Sequence, residues 1–310
     1  MAKGYAYMKN KHKIAVLGGD LRQYAVAKEF SKTGVGVYTY GLNADVSDIP
    51  AINECDNASE AICLADVVIL PLPASTDGNL LNCPALKSNE RIALDTVIEH
   101  MNEKTLLFGG RIPQNTVVKA QGKGIKVYDY FLSEKLQIKN AYITAEAALS
   151  IAMNSLDRCI RGARFAITGT GRISRLLADL LVRLGGNVCV AGRNADSLVY
   201  FEILGCKTVV IEEMPAEKKW YDEFLDSYDL IFNTVPAWLF DRSFLERANK
   251  KMIIIELASA PGGVDICAAR ELSSNMLWAS SLPGKYAPYS AGRLIAEYIL
   301  EILEREVGMA

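Results

Sequence analysis

The run Ala163-Arg-Phe-Ala-Ile-Thr-Gly169-Thr170-Gly171-Arg172-Ile173-Ser174 has the spacing of a turn that receives a pyrophosphate. Gly169 permits a tight turn after an apolar run of strand length. Gly171 lets the backbone approach a phosphate, and the helix opening at Arg172 brings N–H donors and a positive dipole end. A tight strand-to-helix turn in a cofactor-free fold is the competing reading. Cofactor choice is read at the end of the next strand, where an NAD site places an acid against the ribose 2′-hydroxyl. Here Asn187-Val-Cys-Val-Ala-Gly192 ends in Arg193-Asn194, with no acid. A guanidinium pairs bidentately with a 2′-phosphate. A hydrogen bond to a charged group is worth about 1.5–3 kcal/mol, which is about a ten- to hundred-fold preference for NADP. Arg172 is placed to assist. A solvated loop arginine is the other reading of Arg193.

Further strand ends carry glycine- or proline-bearing loops: Asn233-Thr234-Val235-Pro236, Glu256-Leu-Ala258-Ser-Ala-Pro-Gly-Gly263 and Ser281-Leu-Pro-Gly-Lys285-Tyr-Ala-Pro288. Such loops face the crevice at the carboxyl ends of parallel strands, where nicotinamide and ribose lie. In the first half, Gly18-Gly19-Asp20-Leu-Arg22-Gln23 resembles a nucleotide turn without the full glycine pattern. Asp20 is accounted for as an N-cap; Arg22 and Gln23 suit carboxylate recognition. Ser75, Thr76 and Asp77 lie on a strand-end loop, and Arg111 follows Gly109-Gly110 at another. Two arginines at such turns suggest a small dianion such as a dicarboxylate; two surface arginines are the alternative. Glu146, at the start of a long helical stretch, fits a general acid/base or polar anchor, and equally a charge that stabilises a helix N-terminus.

Elements of strand length alternate with amphipathic segments throughout, which predicts α/β architecture with largely parallel sheets. Strands are expected at 13–18, 36–40, 66–72, 105–108 and 125–128, with helices at 20–33 and 131–137. Thr144–Ile160 reads as an interdomain helix, with Ala145, Leu149, Ala152, Met153 and Leu156 at helical spacing. Strands follow at 163–168, 187–191, 207–211, 228–233, 251–257 and 276–280, and helices at 172–184, 196–204, 217–226, 241–248 and 265–273. Tyr289–Glu306 is a further amphipathic helix. The expected organisation is a substrate-binding domain over 1–143, a Rossmann domain over 144–288, and a C-terminal helix over 289–310 that packs back on the first domain.

The chain has 310 residues, enough for two domains. Half are hydrophobic, and the net charge is −2. That balance carries no electrostatic footprint for nucleic acid or an anionic membrane. The apolar runs fall short of the ~20 residues of a membrane helix, and no signal-peptide core follows the lysines near the N-terminus. Seven cysteines without a C-x-x-C pair read as reduced cytosolic thiols. His12 and His100 are the only histidines, so neither a metal site nor a His-centred triad is expected.

Together, the motifs resemble those of the dipicolinate synthase A chain family. The matching runs are Ile14–Gln23, Ile69–Ser75, Thr144–Ala148, Gly169–Arg172, Val190–Arg193, Asn233–Pro236, Glu256–Gly263 and Leu282–Pro288, with Ala291-Gly292. The family has glycine at the position of Ser174 and usually at that of Ala147. The resemblance implies two Rossmann-like doubly wound domains joined by a long helix and arranged like 2-hydroxyacid dehydrogenases. It implies NADP(H) and oxidation of a dihydrodipicolinate-type precursor in the last step of dipicolinate formation. It also implies a second, flavoprotein-like subunit of dipicolinate synthase as partner, and work in the mother cell of a sporulating bacterium. Self-association into a homo-oligomer is expected as well. On that reading, Arg22, Arg111 and Lys285 are candidates to pair two carboxylates, and Glu146 to accept the proton. Two other readings stay open: a 2-hydroxyacid dehydrogenase acting on another small carboxylate, disfavoured because no histidine follows His100, and a non-catalytic NADP-binding regulatory or scaffold protein.

Overall fold

The computed structural model describes residues 12–87, 90–211, 221–222 and 227–308. By contact the chain divides into two units. One holds the residues through Asn140 together with those from Pro283; the other is Ala141–Leu282.

The first unit is built on six strands: β1 (Lys13–Leu17), β2 (Gly36–Tyr40), β3 (Ile52–Glu54), β4 (Val67–Ile69), β5 (Leu106–Gly109) and β6 (Lys126–Asp129). They pair in the order β3-β2-β1-β4-β5-β6, every pair parallel. Helices α1 (Leu21–Ser31), α2 (Ala58–Cys63), α3 (Leu94–His100) and α4 (Gln114–Gly122) connect them. Strand β1 is buried from Ile14 to Leu17 because both faces are covered. Ile14 and Val16 share a core with Val26 and Phe30 of α1. Ala15 and Leu17 face the opposite core with Ala61 and Val97.

Helix α5 (Glu134–Ser155) carries the chain into the second unit. Its strands are β7 (Arg164–Thr168), β8 (Asn187–Gly192), β9 (Lys207–Val210), β10 (Leu230–Asn233), β11 (Ile253–Glu256) and β12 (Met276–Trp278). Their order is β12-β11-β10-β7-β8-β9, again wholly parallel. Helices α6 (Arg172–Arg183), α7 (Ala195–Ile203), α8 (Arg242–Arg247) and α9 (Ile266–Glu271) cover this sheet, and α10 (Leu282–Tyr286) and α11 (Pro288–Gly308) close the chain. The sheet order reverses direction between β1 and β4, and again between β7 and β10. The doubly wound α/β expectation is met in both units.

Several local expectations are corrected. Residues 134–137 and 144–155 of the helices expected at 131–137 and 144–160 belong to one helix, α5, because no glycine or proline interrupts 134–155, whereas 130–132 form a short 3-10 turn and 156–160 are not helical. Glu146 therefore lies in the helix interior rather than at its start, and it is exposed. The dipole explanation for Glu146 falls with that change. The expected loop at 281–288 contains helix α10, whose Pro283 sits in the first turn, where a missing N–H costs little. Short β3, α2, α3 and α4 were not among the expected elements. The helix expected at 217–226 lies outside the described residues, apart from Tyr221 and Asp222 in a turn.

Helix α11 is held against α1. Ile295, Ala296, Ile299 and Leu303 share the core of Val26 and Phe30. Glu306, near its end, accepts from Lys126 Nζ at 2.5 Å and from the Tyr128 hydroxyl at 2.6 Å. Burial and the Glu306 carboxylate push the Tyr128 hydroxyl up to about 12. The helices approach tightly at Gly292, where an added Cβ would lie 2.3 Å from Arg22 O and 2.6 Å from Ala25 Cβ. In an open helix, Gly→Ala gains about 1 kcal/mol. Overpacking here costs about 1–3 kcal/mol, so the clash decides the sign. Gly292→Ala is expected to lower the melting temperature by about 2–4 °C, followed by far-ultraviolet circular dichroism; a rise would mean that α1 and α11 part without cost.

Candidate functional site

Strand β7 ends at Thr168, and Gly169 turns the chain with a φ of 99°. A Cβ at Gly169 would lie 2.5 Å from Thr234 Oγ1 and 2.8 Å from Val235 Cγ2. Glycine therefore lets the loop after β10 close on the turn after β7. Helix α6 starts behind Gly171, an N-cap position that makes no side-chain cap hydrogen bond. Helices α1, α2, α7, α8 and α9 are each capped by an Asp or Asn oxygen. A Cβ at Gly171 would meet nothing within 4 Å. Open donors, a dipole end and free space together suit a phosphate. The look-alike turn of the first unit differs in charge. There Asp20 caps α1 by accepting from Arg22 N at 3.0 Å, so a carboxylate already holds the place of an anion.

Ser174, where the family has glycine, is fully buried, and its hydroxyl lies 2.9 Å from Thr234 Oγ1. The small side chain fits and adds a tie between α6 and the loop after β10. Thr234 Oγ1 also donates to Thr168 O at 2.7 Å. Thr168 Oγ1 donates to Asn233 Oδ1 at 2.5 Å, and Asn233 Nδ2 donates to both Glu256 oxygens at 2.9 and 2.8 Å. Glu256 further accepts from Ala258 N and Gly263 N, each at 2.9 Å. Asn233 and Glu256 are both fully buried. Their side chains hold the ends of β7, β10 and β11 in register, so they frame the loops rather than face a ligand. Val235 N and O both bond the Asn233 amide, at 3.1 and 3.0 Å, whereas Pro236 is exposed. Ala258 is buried.

Arg193 follows β8, is exposed, and has no ion pair among the described residues. The side chain of its neighbour Asn194 is used as a cap, accepting from Ser197 N at 3.1 Å. Thr170 is half-buried, and Arg172 and Ile173 form the first turn of α6. Sequence reasoning missed Thr168 and Arg175. Arg175 Nε donates to Thr170 O at 3.3 Å, and its guanidinium lies 5.2 Å from the centre of the Tyr200 ring. Its place one helical turn after Gly171 was the available signal.

In the first unit the expected carboxylate-binding residues have different fates. Arg22 is occupied: its Nε lies 2.9 and 3.1 Å from the Asp20 oxygens, and its Nη2 lies 2.8 Å from Asp20 Oδ2 and 2.6 Å from Leu72 O. Gly284 of α10 packs on this pair, with an added Cβ only 2.6 Å from Asp20 Oδ2. Gln23 is buried, with Nε2 reaching Ile69 O at 3.3 Å and Leu17 O at 3.4 Å. Both residues thus brace the turn. Ser75 and Asp77 shape their own loop: Ser75 Oγ donates to Asp77 Oδ1 at 2.9 Å, which also accepts from Asn79 N and Leu80 N at 2.9 and 2.8 Å. Those backbone donors hold the Asp77 carboxyl below its usual range. Arg111 remains available. Its backbone, at φ 51°, is pinned by Asp129, while its guanidinium lies 4.9 Å from the centre of the Phe131 ring. Lys285 is exposed on α10. Among the described residues no cluster of His, Cys, Asp and Glu is placed to hold a metal, and no helix is long and apolar enough to cross a membrane.

Burial pushes the Glu256 carboxyl above its ordinary value, against the pull of the Gly263, Asn233, Ala258 and Val264 donors. The folded chain then binds this proton more readily than the unfolded chain. Ionisation opposes folding, and the contribution of Glu256 to stability is lost as pH rises through the raised value. Glu256→Gln is expected to destabilise the chain by about 1–3 kcal/mol, because donors lose an acceptor. The gap between wild type and variant should shrink as pH climbs from about 4 to 7. Urea midpoints across that range are the measurement, and a constant or widening gap would refute it.

Residues 13–131 match the family model for the N-terminal domain of dipicolinate synthase A chains. Over 297 residues the chain is 26% identical to the dipicolinate synthase A chain of Bacillus subtilis (strain 168), covering 94% of this chain and 95% of that one. The crystal structure of the dipicolinate synthase A chain from Bacillus subtilis superposes with a TM-score of 0.80 at 25% identity, covering 96% and 97% of the two chains. The crystal structure of its counterpart from Bacillus halodurans gives 0.81 at 24% identity, covering 96% and 99%. Solved alanine and 2-hydroxyacid dehydrogenases share the fold alone, at 12–15% identity and TM-scores of 0.53–0.61. Residues 13–131 thus resemble the N-terminal domain of dipicolinate synthase A chains, and the resemblance to that family read from the motifs is borne out along the sequence.

Proposed function

We propose that this chain is an NADP-dependent oxidoreductase that oxidises a dihydrodipicolinate-type precursor to dipicolinate. The observation that carries the reading is the uncapped start of α6 behind Gly171, with exposed Arg193 at the end of the next strand where an NAD site would carry an acid. When bound, NADP⁺ supplies the hydride acceptor. The N–H groups at Thr170–Ile173 hold its pyrophosphate, Arg193 its 2′-phosphate, and Thr234–Pro236 and Ala258 shape the loops around the rest. Asn233 and Glu256 position those loops from behind.

For the substrate, Arg111 is the side chain of the first unit best suited to a carboxylate, because its planar guanidinium is stacked on a ring but has no ion pair among the described residues. Lys285 is the second cation, and exposed Glu146 the group to take up the released proton. The product ring is aromatic, so the step is strongly favoured and depends on orientation more than on a strong base. Occupied Arg22 serves by bracing the turn. The same reading gives this protein two partners, the flavoprotein-like second subunit of dipicolinate synthase and another copy of itself. It places the protein in the cytoplasm of the mother cell.

Titration with NADPH and NADH, followed by nicotinamide fluorescence, tests the cofactor. NADPH is expected to bind about ten-fold or more tightly than NADH, and Arg193→Ala is expected to remove the difference. Equal affinities in the wild type would refute the assignment of Arg193. Absence of binding by either would favour a regulatory or scaffold role. In turnover assays with and without the flavoprotein-like partner, Arg111→Ala is expected to raise KM by about ten-fold or more; an unchanged KM would remove Arg111 from the substrate site.

A further inference from the structure

The amino ends of β7, β10, β11 and β12 border a recess of about 760 Å³ within the second unit. It lies at the opposite end of the sheet from the turn after β7, one strand length or about 13 Å away along β7. Neither the cofactor turn nor any candidate substrate residue contributes to its lining. Its volume falls in the range of small-molecule sites.

The lining combines cations with apolar surface. Arg158, Arg164 and Lys251 stand against Asp157 and Asp229, leaving a positive surplus. The ion pairs are loose. Arg158 Nη1 and Arg164 Nη2 share one oxygen of Asp229 at 3.4 and 3.9 Å, and Arg158 Nε lies 3.6 Å from Asp157. Charge-assisted bonds normally close to about 2.7–2.9 Å, so both guanidinia keep donors for another acceptor. The second Asp229 oxygen is taken by Arg164 N at 2.7 Å. Tyr228, Met252 and Met276 add a ring and two polarisable sulfurs to the lining. Thioethers and aromatic edges pack well on a flat ring. An inorganic anion would leave most of this volume and all of this apolar surface unused.

We propose that this recess binds a flat aromatic or heteroaromatic polycarboxylate, as a site separate from catalysis. Arg158, Arg164 and Lys251 receive the carboxylates, and Tyr228, Met252 and Met276 receive the ring. The choice of dipicolinate as one probe rests on the proposed function; the site itself does not, so benzene-1,3-dicarboxylate serves as a second probe.

Isothermal titration of the full chain with each acid is the test, alongside Arg158→Ala/Lys251→Ala and Arg111→Ala variants. The double substitution changes exposed side chains only, and an unchanged melting temperature verifies its fold. Both acids are expected to bind the wild type. The double variant is expected to lose one equivalent of binding, or to weaken it by about ten-fold or more, while Arg111→Ala leaves that equivalent in place. No binding to wild type at ~10 mM of either acid, far weaker than the millimolar scale of a feeble site, would overturn the proposal. So would full stoichiometry and affinity in the double variant. The NADPH titration reads the cofactor end independently, so failure here leaves that reading intact, and the reverse.

Discussion

A doubly wound sheet must reverse its strand order once, and there two neighbouring strands send their connections to opposite faces. Polar backbone at the paired strand ends is left with fewer neighbours to satisfy it. Both units of this chain meet the constraint with a buried primary amide. Gln23 reaches the carbonyls at the ends of β1 and β4. Asn233, at the end of β10, accepts from Thr168 of β7 and donates to Glu256 of β11. A buried polar group without partners costs more than a hydrogen bond gains, so these amides tie the loops down where the ligand-binding crevice of such sheets opens.

The two reversal points then diverge through charge. In the first unit Asp20 caps α1 and holds Arg22, and Gly284 packs on the pair. That turn is internally neutralised. In the second unit Gly171 gives α6 no side-chain cap, and Glu256 is buried among its own donors. One turn is closed as structure, the other open to an anion. The same topology therefore supports bracing in one unit and binding in the other.

Much of this was legible in the sequence, because its signals are local. Strand β2 was expected at the residues where it forms, and β1, β7 and β8 within a residue. Continuous apolar runs mark strands buried on both faces, and Gly169-Thr-Gly171 sits at the junction its spacing implies. The failures were also physical. Short β3 and α2 lack a full period of hydrophobic repetition. Helix α5 was split although nothing in 134–155 breaks a helix; Leu136 joins one core, and Ala145, Ala148 and Ala152 join another. Arg22 and Gln23 looked like ligand-binding groups because polar residues at a helix start are conspicuous. Their partners, Leu72, Ile69 and Leu17, come together only through the sheet.

By itself, then, the sequence determined the alternation of elements, the doubly wound class and the turn whose glycines leave room for a phosphate. Each follows from residue type and spacing within a few residues. The tertiary structure alone decided which polar residues are spent. Asn233 and Glu256 are far apart in the chain and meet because β10 and β11 pair in register. Arg111 stays available because Asp129 of β6 takes its backbone and Phe131 its face. A hydrogen bond saturates a group whatever the length of chain between the partners, and strand pairing across the sheet chooses those partners.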